Sequence, residues 1–288
     1  MQESILTAVF LPLALAFIML GMGLSLSVKD FRNILIYPKA VFLGLLNQMI
    51  LLPLIAFGLI SAFGLSGTMA VGIMILAACP GGATSNLITH LSRGDTALSI
   101  SLTAVTSFLT VATIPLIVNF AIAYFGEEGS VTLPLGETII QIMGVTIIPV
   151  SIGMILKKRF PVLSIKADRP VRIASAVFFV LIILAAILKE RASLVEFFIA
   201  AGPVTLILNL GTLLLGYILA RISLLPKNQQ MTIAIESGIQ NGTLGIMIAA
   251  TLLRNSEMTV PIAIYSLIMF FTAGFIIFMA NKKQKADA

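Results

Sequence analysis

Charge is scarce in this chain: Lys, Arg, Asp and Glu make up 10% of its 288 residues, whereas 59% are hydrophobic. A soluble domain carries roughly 25% charged residues, so the shortfall excludes an ordinary water-soluble globule and points to lipid-facing surface. Cysteine is almost absent as well. The single Cys79 rules out an internal disulfide and any thiol cluster for a metal. With no base or thiol beside it, Cys79 reads as a small buried residue rather than a nucleophile. The one histidine, His90, has no second imidazole with which to share a transition metal, so a structural or interfacial role is expected of it. No nucleophile-base pair or metal cluster falls at membrane depth, so the chain is not read as an enzyme. The net charge is +6. Its basic residues sit in short clusters between apolar runs, which is a topology signal and not a nucleic-acid footprint.

What the sequence has in abundance is apolar runs of spanning length. A bilayer core takes about 20 mostly apolar residues per helix. Nine such runs predict an all-α polytopic membrane protein, with spans near 4–28, 40–64, 68–91, 96–125, 134–156, 171–188, 195–220, 229–253 and 258–280. Met1-Gln2-Glu3-Ser4 lacks a basic n-region, and the apolar run after it exceeds a signal-peptide core, so a retained first span is expected. Alternate connections collect Lys29, Arg32, Lys39, Arg93, Lys157, Lys158, Arg159, Lys166, Arg169, Arg172, Arg221, Lys227, Lys282, Lys283 and Lys285 on one side. The other side holds only Lys189, Arg191 and Arg254. The positive-inside rule makes the crowded side cytoplasmic, with the N-terminus outside, the C-terminus inside and the chain multi-pass in the cell membrane.

Two spans are interrupted in their middle. Span three contains Cys79-Pro80-Gly81-Gly82-Ala83-Thr84-Ser85-Asn86, and span eight Glu236-Ser237-Gly238-Ile239-Gln240-Asn241-Gly242-Thr243. Proline removes a backbone donor and glycine lowers helix preference, so both spans are predicted to break and free polar backbone groups. Lipid tolerates such backbone only inside protein or beside a cavity. Span three runs inward and span eight outward, the pattern of inverted-repeat carriers whose substrates and ions bind where the breaks meet. The repeats are expected over 1–126, incomplete by one helix, and 133–281.

Among 12 acidic residues, only Glu236 lies in the middle of a span, with Glu137 nearer a span end. A carboxylate there costs about 2.5–3.5 kcal/mol on insertion scales unless a partner stabilises it, and no Lys or Arg is expected at that depth. A bound cation or a proton is the partner this implies. Gln48 in span two, Ser85 and Asn86 at the break, and Ser99 with Thr103 on one face of span four supply neutral oxygens suited to a hard monovalent cation. The hydroxyls of span four have a plainer use in bonding the preceding turn's carbonyls. The substrate's anionic group is expected at the half-helix ends near Gly81, Gly82, Ala83 and Asn241, where unpaired backbone donors gather.

The sequence resembles the bile acid:sodium symporter family in Gly21-Met22-Gly23-Leu24, in Cys79-Pro80-Gly81-Gly82 with Ser85-Asn86 and Arg93-Gly94, and in Glu236-Ser237-Gly238-Ile239-Gln240-Asn241. Together these fragments cover nearly the whole chain. The resemblance implies a core domain (about 40–125 and 195–281) holding two crossed, broken helices, and a panel domain (about 4–28 and 134–188). Substrate lies between them, and alternating access carries it across. It also implies two Na⁺ ions. The first would be held by Ser85, Asn86, Ser99, Thr103 and Glu236, and the second by Gln48, Glu236, Gln240 and the main-chain carbonyls of Ser237 and Ile239. Ten-helix bacterial members would place the start of this chain at their second helix. The cargo implied is an organic anion, either a steroid-like amphipath or a small carboxylate such as pantoate or a keto acid. Two other readings stay open: a proton-coupled or uncoupled permease of the wider superfamily, such as an arsenite carrier, and a non-transporting membrane receptor or subunit.

Overall fold

The computed structural model describes residues 9–127, 132–191 and 194–287, and among these every regular element is helical. In apolar surroundings the backbone must bond to itself, and a helix does so within one segment. Six helices are long and apolar enough to cross a membrane: Pro38–Ala62, Thr96–Phe125, Leu135–Arg159, Arg169–Leu188, Val195–Ile222 and Thr259–Lys282. Two helix pairs, each bent at a short break, raise the number to eight if each counts as one span. They are α1 (Leu11–Ser25) with α2 (Val28–Ile36), bent by 80°, and α5 (Gly67–Ala78) with α6 (Ala83–Leu91), bent by 65°. Residues 4–8 of the first expected span lie outside the described residues.

The eighth expected span, 229–253, is absent from that number for a physical reason. It is divided into α12 (Lys227–Gly238), α13 (Gly242–Met247) and a π-helical turn, Ile248–Leu252. Lys227, Asn228, Gln229, Gln230 and Glu236 make α12 too polar to resemble a lipid-spanning rod. Span two carries a matching π-helical turn, Asn47–Leu51, between α3 (Pro38–Leu46) and α4 (Leu52–Ala62). Pro53 follows that turn and has no N–H for the usual bond, which favours the local widening. Span five is divided at Thr146 into α8 (Leu135–Val145) and α9 (Ile147–Arg159), where Pro149 withholds the donor that would have bonded back to Val145.

Two stretches read as loops are helical. Residues 28–36 form α2, opened by Ser27, whose backbone N–H and hydroxyl both donate to Asp30 Oδ2 at 2.6 and 2.8 Å. The connection after α9 shrinks to a break at Phe160, because Pro161 starts α10 (Pro161–Lys189) where its missing N–H costs nothing. The remaining long helices are α7 (Thr96–Phe125), α11 (Leu194–Ile222) and α14 (Thr259–Asp287).

Packing follows the small residues. α1 lies along α9 and α10. A β-carbon on Gly23 would stand 2.2 Å from the Val150 carbonyl oxygen, and one on Gly153 2.4 Å from that of Leu20, so the two glycines let the backbones of α1 and α9 nearly touch. α5 is buried almost throughout and sits among α4, α7 and α14, while α11 runs against α12 and α14. Outward faces carry exposed Phe42, Leu54, Phe120, Ile140, Ile155 and Phe271, a surface that water would not favour and lipid would. The Arg93-Gly94 pair ends α6: Arg93 adopts φ 61° and the Gly94 N–H returns to the Thr89 carbonyl at 2.8 Å.

Candidate ion and anion site

The two breaks touch. α5 stops at Ala78, and Cys79 to Gly82 run extended to the start of α6. α12 stops at Gly238, and Asn241 caps α13 by accepting from the Leu244 N–H at 3.0 Å. The Asn241 N–H donates to the Pro80 carbonyl at 2.9 Å, and Gln48 Nε2 donates to the Cys79 carbonyl at 2.9 Å. The first break thus supplies carbonyls that the second break and the π turn of span two satisfy.

Glu236 points from the last turn of α12 into this junction and is buried. Ser99 Oγ donates to its Oε1 at 2.5 Å and Thr103 Oγ1 to its Oε2 at 2.9 Å. The same two hydroxyls also face Asn86 Oδ1, at 2.8 and 3.2 Å. Ser85 Oγ lies 3.5 Å from Thr103 Oγ1 and spends its proton on the Gly82 carbonyl at 2.8 Å. Each hydroxyl has one proton to give. Ser99 and Thr103 therefore cannot satisfy Asn86 Oδ1 and both carboxylate oxygens at once, and the cluster has more acceptors than hydroxyl protons. Such a deficit of positive charge fits a hard cation bound among oxygens. The backbone makes room for it: a β-carbon on Gly81 would stand 2.7 Å from Glu236 Oε2.

The residues expected for a second ion are only partly gathered. Gln48 and Gln240 bond each other in both directions, at 2.7 and 3.3 Å, and Gln240 Nε2 also donates to the Ser237 carbonyl at 2.8 Å. The bonds of Glu236 run instead to Ser99 and Thr103. Ile239 is buried in the extended stretch with its N–H returned to Ile235 at 2.9 Å.

Sequence reasoning missed the polar residues that hold the second break open. The Gly238 carbonyl, freed where α12 ends, accepts from Asn209 Nδ2 at 2.8 Å and from Tyr265 Oη at 3.0 Å. Asn47 Nδ2 donates to Ser237 Oγ. Asn47 and Asn209 are amides in the middle of apolar runs, and that anomaly was the available signal.

A cavity of about 290 Å³ lies between α1 and α10 on one side and the breaks on the other. Gly82, Ala83, Gln240, Asn241 and Gly242 line it from the breaks. Three of the four residues expected to meet substrate are therefore on its wall; the fourth, Gly81, packs against Glu236. Asn241 Nδ2 is buried there without a hydrogen-bond partner. Ser25, His90, Thr96 and Arg172 also line it. Arg172, which the sequence places among the topology-marking basic residues, lies within α10 and lines the cavity.

The family model described as Sodium Bile acid symporter family matches residues 12–197. An uncharacterized sodium-dependent transporter, YocS, of Bacillus subtilis is 32% identical over 89% of this chain and 78% of its own length. The human ileal sodium/bile acid cotransporter is 30% identical over 98% of this chain and 81% of its own. The probable sodium/metabolite cotransporter BASS1, chloroplastic, of Arabidopsis thaliana is 32% identical over 86% of this chain and 61% of its own.

Proposed function

Because this chain belongs to the sodium bile acid symporter family, we propose that it is a sodium-coupled symporter that carries an organic anion by alternating access. The observation that carries the reading is the junction of the two breaks, where Glu236, Asn86, Ser99 and Thr103 turn an excess of acceptor oxygens on one point. Sodium enters this scheme as a co-transported substrate.

In this account the chain crosses the cell membrane nine times, with its N-terminus outside and C-terminus cytoplasmic, and α12 with α13 is the broken eighth crossing. Residues 1–126 and 133–281 are the inverted repeats. The core comprises 40–125 and 195–281, and the panel 4–28 and 134–188. The close packing of α1 on α9 and α10, apart from the packing of α11 on α12 and α14, supports that division.

Two sodium ions bind. One is held by Ser85, Asn86, Ser99, Thr103 and Glu236. The other is held by Gln48, Glu236, Gln240 and the carbonyls of Ser237 and Ile239, once the Gln48–Gln240 pair turns its oxygens inward. The substrate's anionic group meets Gly82, Ala83 and Asn241, whose orphan Nδ2 is a donor awaiting an acceptor. Glu236 contributes −1, two ions +2 and a monoanion −1, so the loaded junction is neutral and the cost of moving charge through lipid is avoided. An empty carrier that returns with −1 makes the cycle electrogenic, and each charge is worth about 2.3 kcal/mol per 100 mV.

Uptake of labelled organic acids into proteoliposomes, with sodium replaced by choline at fixed pH, tests the reading. Uptake that stops without sodium supports it; uptake that follows pH and ignores sodium refutes it.

A further inference from the structure

From Glu236 a line of polar side chains continues toward the helix ends that the basic residues mark as cytoplasmic. On α12, Thr232 and Gln229 stand four and seven residues before Glu236, about 6 and 10 Å away at 1.5 Å per residue. On α7, Asp95 caps the helix four residues before Ser99, again about 6 Å from the hydroxyl that meets Glu236. On α6, Thr89 lies four residues past Ser85, and Ser92 ends the helix. Thr232, Gln229, Thr89 and Ser92 are buried, and the line ends at Asp95, which is half-buried.

Short contacts join the three helices along this line. The Asp95 N–H donates to Thr232 Oγ1 at 2.7 Å, and a β-carbon on Gly94 would stand 2.8 Å from that oxygen and 2.6 Å from Thr89 Cγ2. Thr89 therefore lies beside Thr232, whereas Leu87 and His90 of the same helix line the cavity. Among the described residues, Thr89 Oγ1 and Ser92 Oγ have no hydrogen-bond partner, although a helical hydroxyl readily bonds the preceding turn. Capping α7 takes one oxygen of Asp95, Oδ1, which accepts from the Leu98 N–H at 3.1 Å; Oδ2 accepts from the neutral Gln229 amide at 3.3 Å. Spare oxygens at successive levels, ending on a carboxylate, give a monovalent cation ligands to step between. On the cavity side it would meet Ile18, Met22 and Ile100.

We infer that the seam between α6, α7 and α12 is the route by which sodium leaves Glu236 for the cytoplasm, and that Asp95 binds the ion at its mouth. This rests on the symporter reading and gives the ion an exit separate from that of the organic anion. Sodium passes Thr232 and Thr89 and reaches Asp95 as the Gln229 amide swings off Oδ2. The organic anion leaves through the cavity, away from the Asp95 carboxylate.

The test uses the full chain in right-side-out and inverted membrane vesicles. The probe is 2-aminoethyl methanethiosulfonate, a cationic thiol reagent, and methyl methanethiosulfonate is its uncharged counterpart; peptide mass spectrometry reads the modified position. Thr89→Cys places a thiol in the seam and Leu87→Cys places one on the cavity wall, with Ser92→Cys standing in if Thr89→Cys does not fold. The cationic reagent modifies Thr89→Cys faster from the cytoplasmic face than from the outer face, and sodium slows that reaction where choline does not. Asp95→Asn keeps a capping oxygen for α7 and removes the charge. It slows the cationic reagent at Thr89→Cys by about tenfold, and leaves the uncharged reagent there, and both reagents at Leu87→Cys, unchanged. Modification of Thr89→Cys that is equal from both faces, no faster than that of the buried Cys79, or indifferent to Asp95→Asn overturns the route. Sodium titration of purified wild type by thermal shift separates the two failures. Sodium binding without sided, Asp95-dependent modification overturns the seam alone; no sodium binding overturns the symporter reading and the seam as a sodium route with it.

Discussion

Replacing Ser99 by Ala removes one oxygen that faces both Glu236 Oε1, at 2.5 Å, and Asn86 Oδ1, at 2.8 Å. The side chain is wholly buried, so water does not take the place of the lost hydroxyl. With sodium absent, the loss leaves a buried carboxylate oxygen short of a donor. With sodium bound, it removes a ligand oxygen and the dipole that keeps the carboxylate aimed at the ion. A hydrogen bond to a charged group is worth about 1.5–3 kcal/mol, which converts to a roughly 10- to 150-fold weakening of sodium binding if most of it is felt in the loaded form. Sodium titration followed by thermal shift, at constant ionic strength held with choline, reads this directly. Ser107→Ala is the matched control, since Ser107 lies two turns along α7, is buried, and has no hydrogen-bond partner. Sodium affinity of Ser99→Ala within twofold of wild type would show that the oxygen cluster is not an ion site.

Four further outcomes follow from the same geometry. Gly81→Ala drives a β-carbon to within 2.7 Å of Glu236 Oε2 and displaces the carboxylate, so sodium affinity falls by about tenfold or more while the protein stays folded, as circular dichroism would report. Gly23→Ala collides with the Val150 carbonyl at 2.2 Å and costs about 1–3 kcal/mol of stability as overpacking. Gly274→Ala, with open space around it, leaves the melting temperature unchanged or slightly raised. Gln48→Leu strips the Cys79 carbonyl and the Gln240 amide of a partner, so the sodium dependence of uptake loses its cooperativity and the Hill coefficient drops toward one.

The legible parts of this site were those where polarity is out of place. Glu236 is conspicuous because a carboxylate in the middle of an apolar run needs a reason, and Pro80 with Gly81, Gly82, Gly238 and Gly242 marks backbone that a lipid-spanning helix would not choose. Long-range meetings were less legible: nothing local to Asn241 says that its N–H reaches Pro80, more than 150 residues away. The π turns at Asn47–Leu51 and Ile248–Leu252 have no compositional mark beyond Pro53. α2 was hidden because Lys29, Asp30 and Arg32 interrupt the apolar run, although Ser27 followed by Asp30 at the third position is a capping pattern that was there to be seen. Arg172 reads as a topology marker near a span end, and nothing local to it shows that it lines the cavity.

The central claim is that sodium is held by Glu236 where the two broken helices meet. Its most direct test is calorimetric titration of sodium into purified wild-type protein and into Glu236→Gln, which keeps the shape of the side chain and removes its charge. The account predicts saturable sodium binding in wild type and none measurable in the variant. Equal sodium binding by both proteins would contradict it.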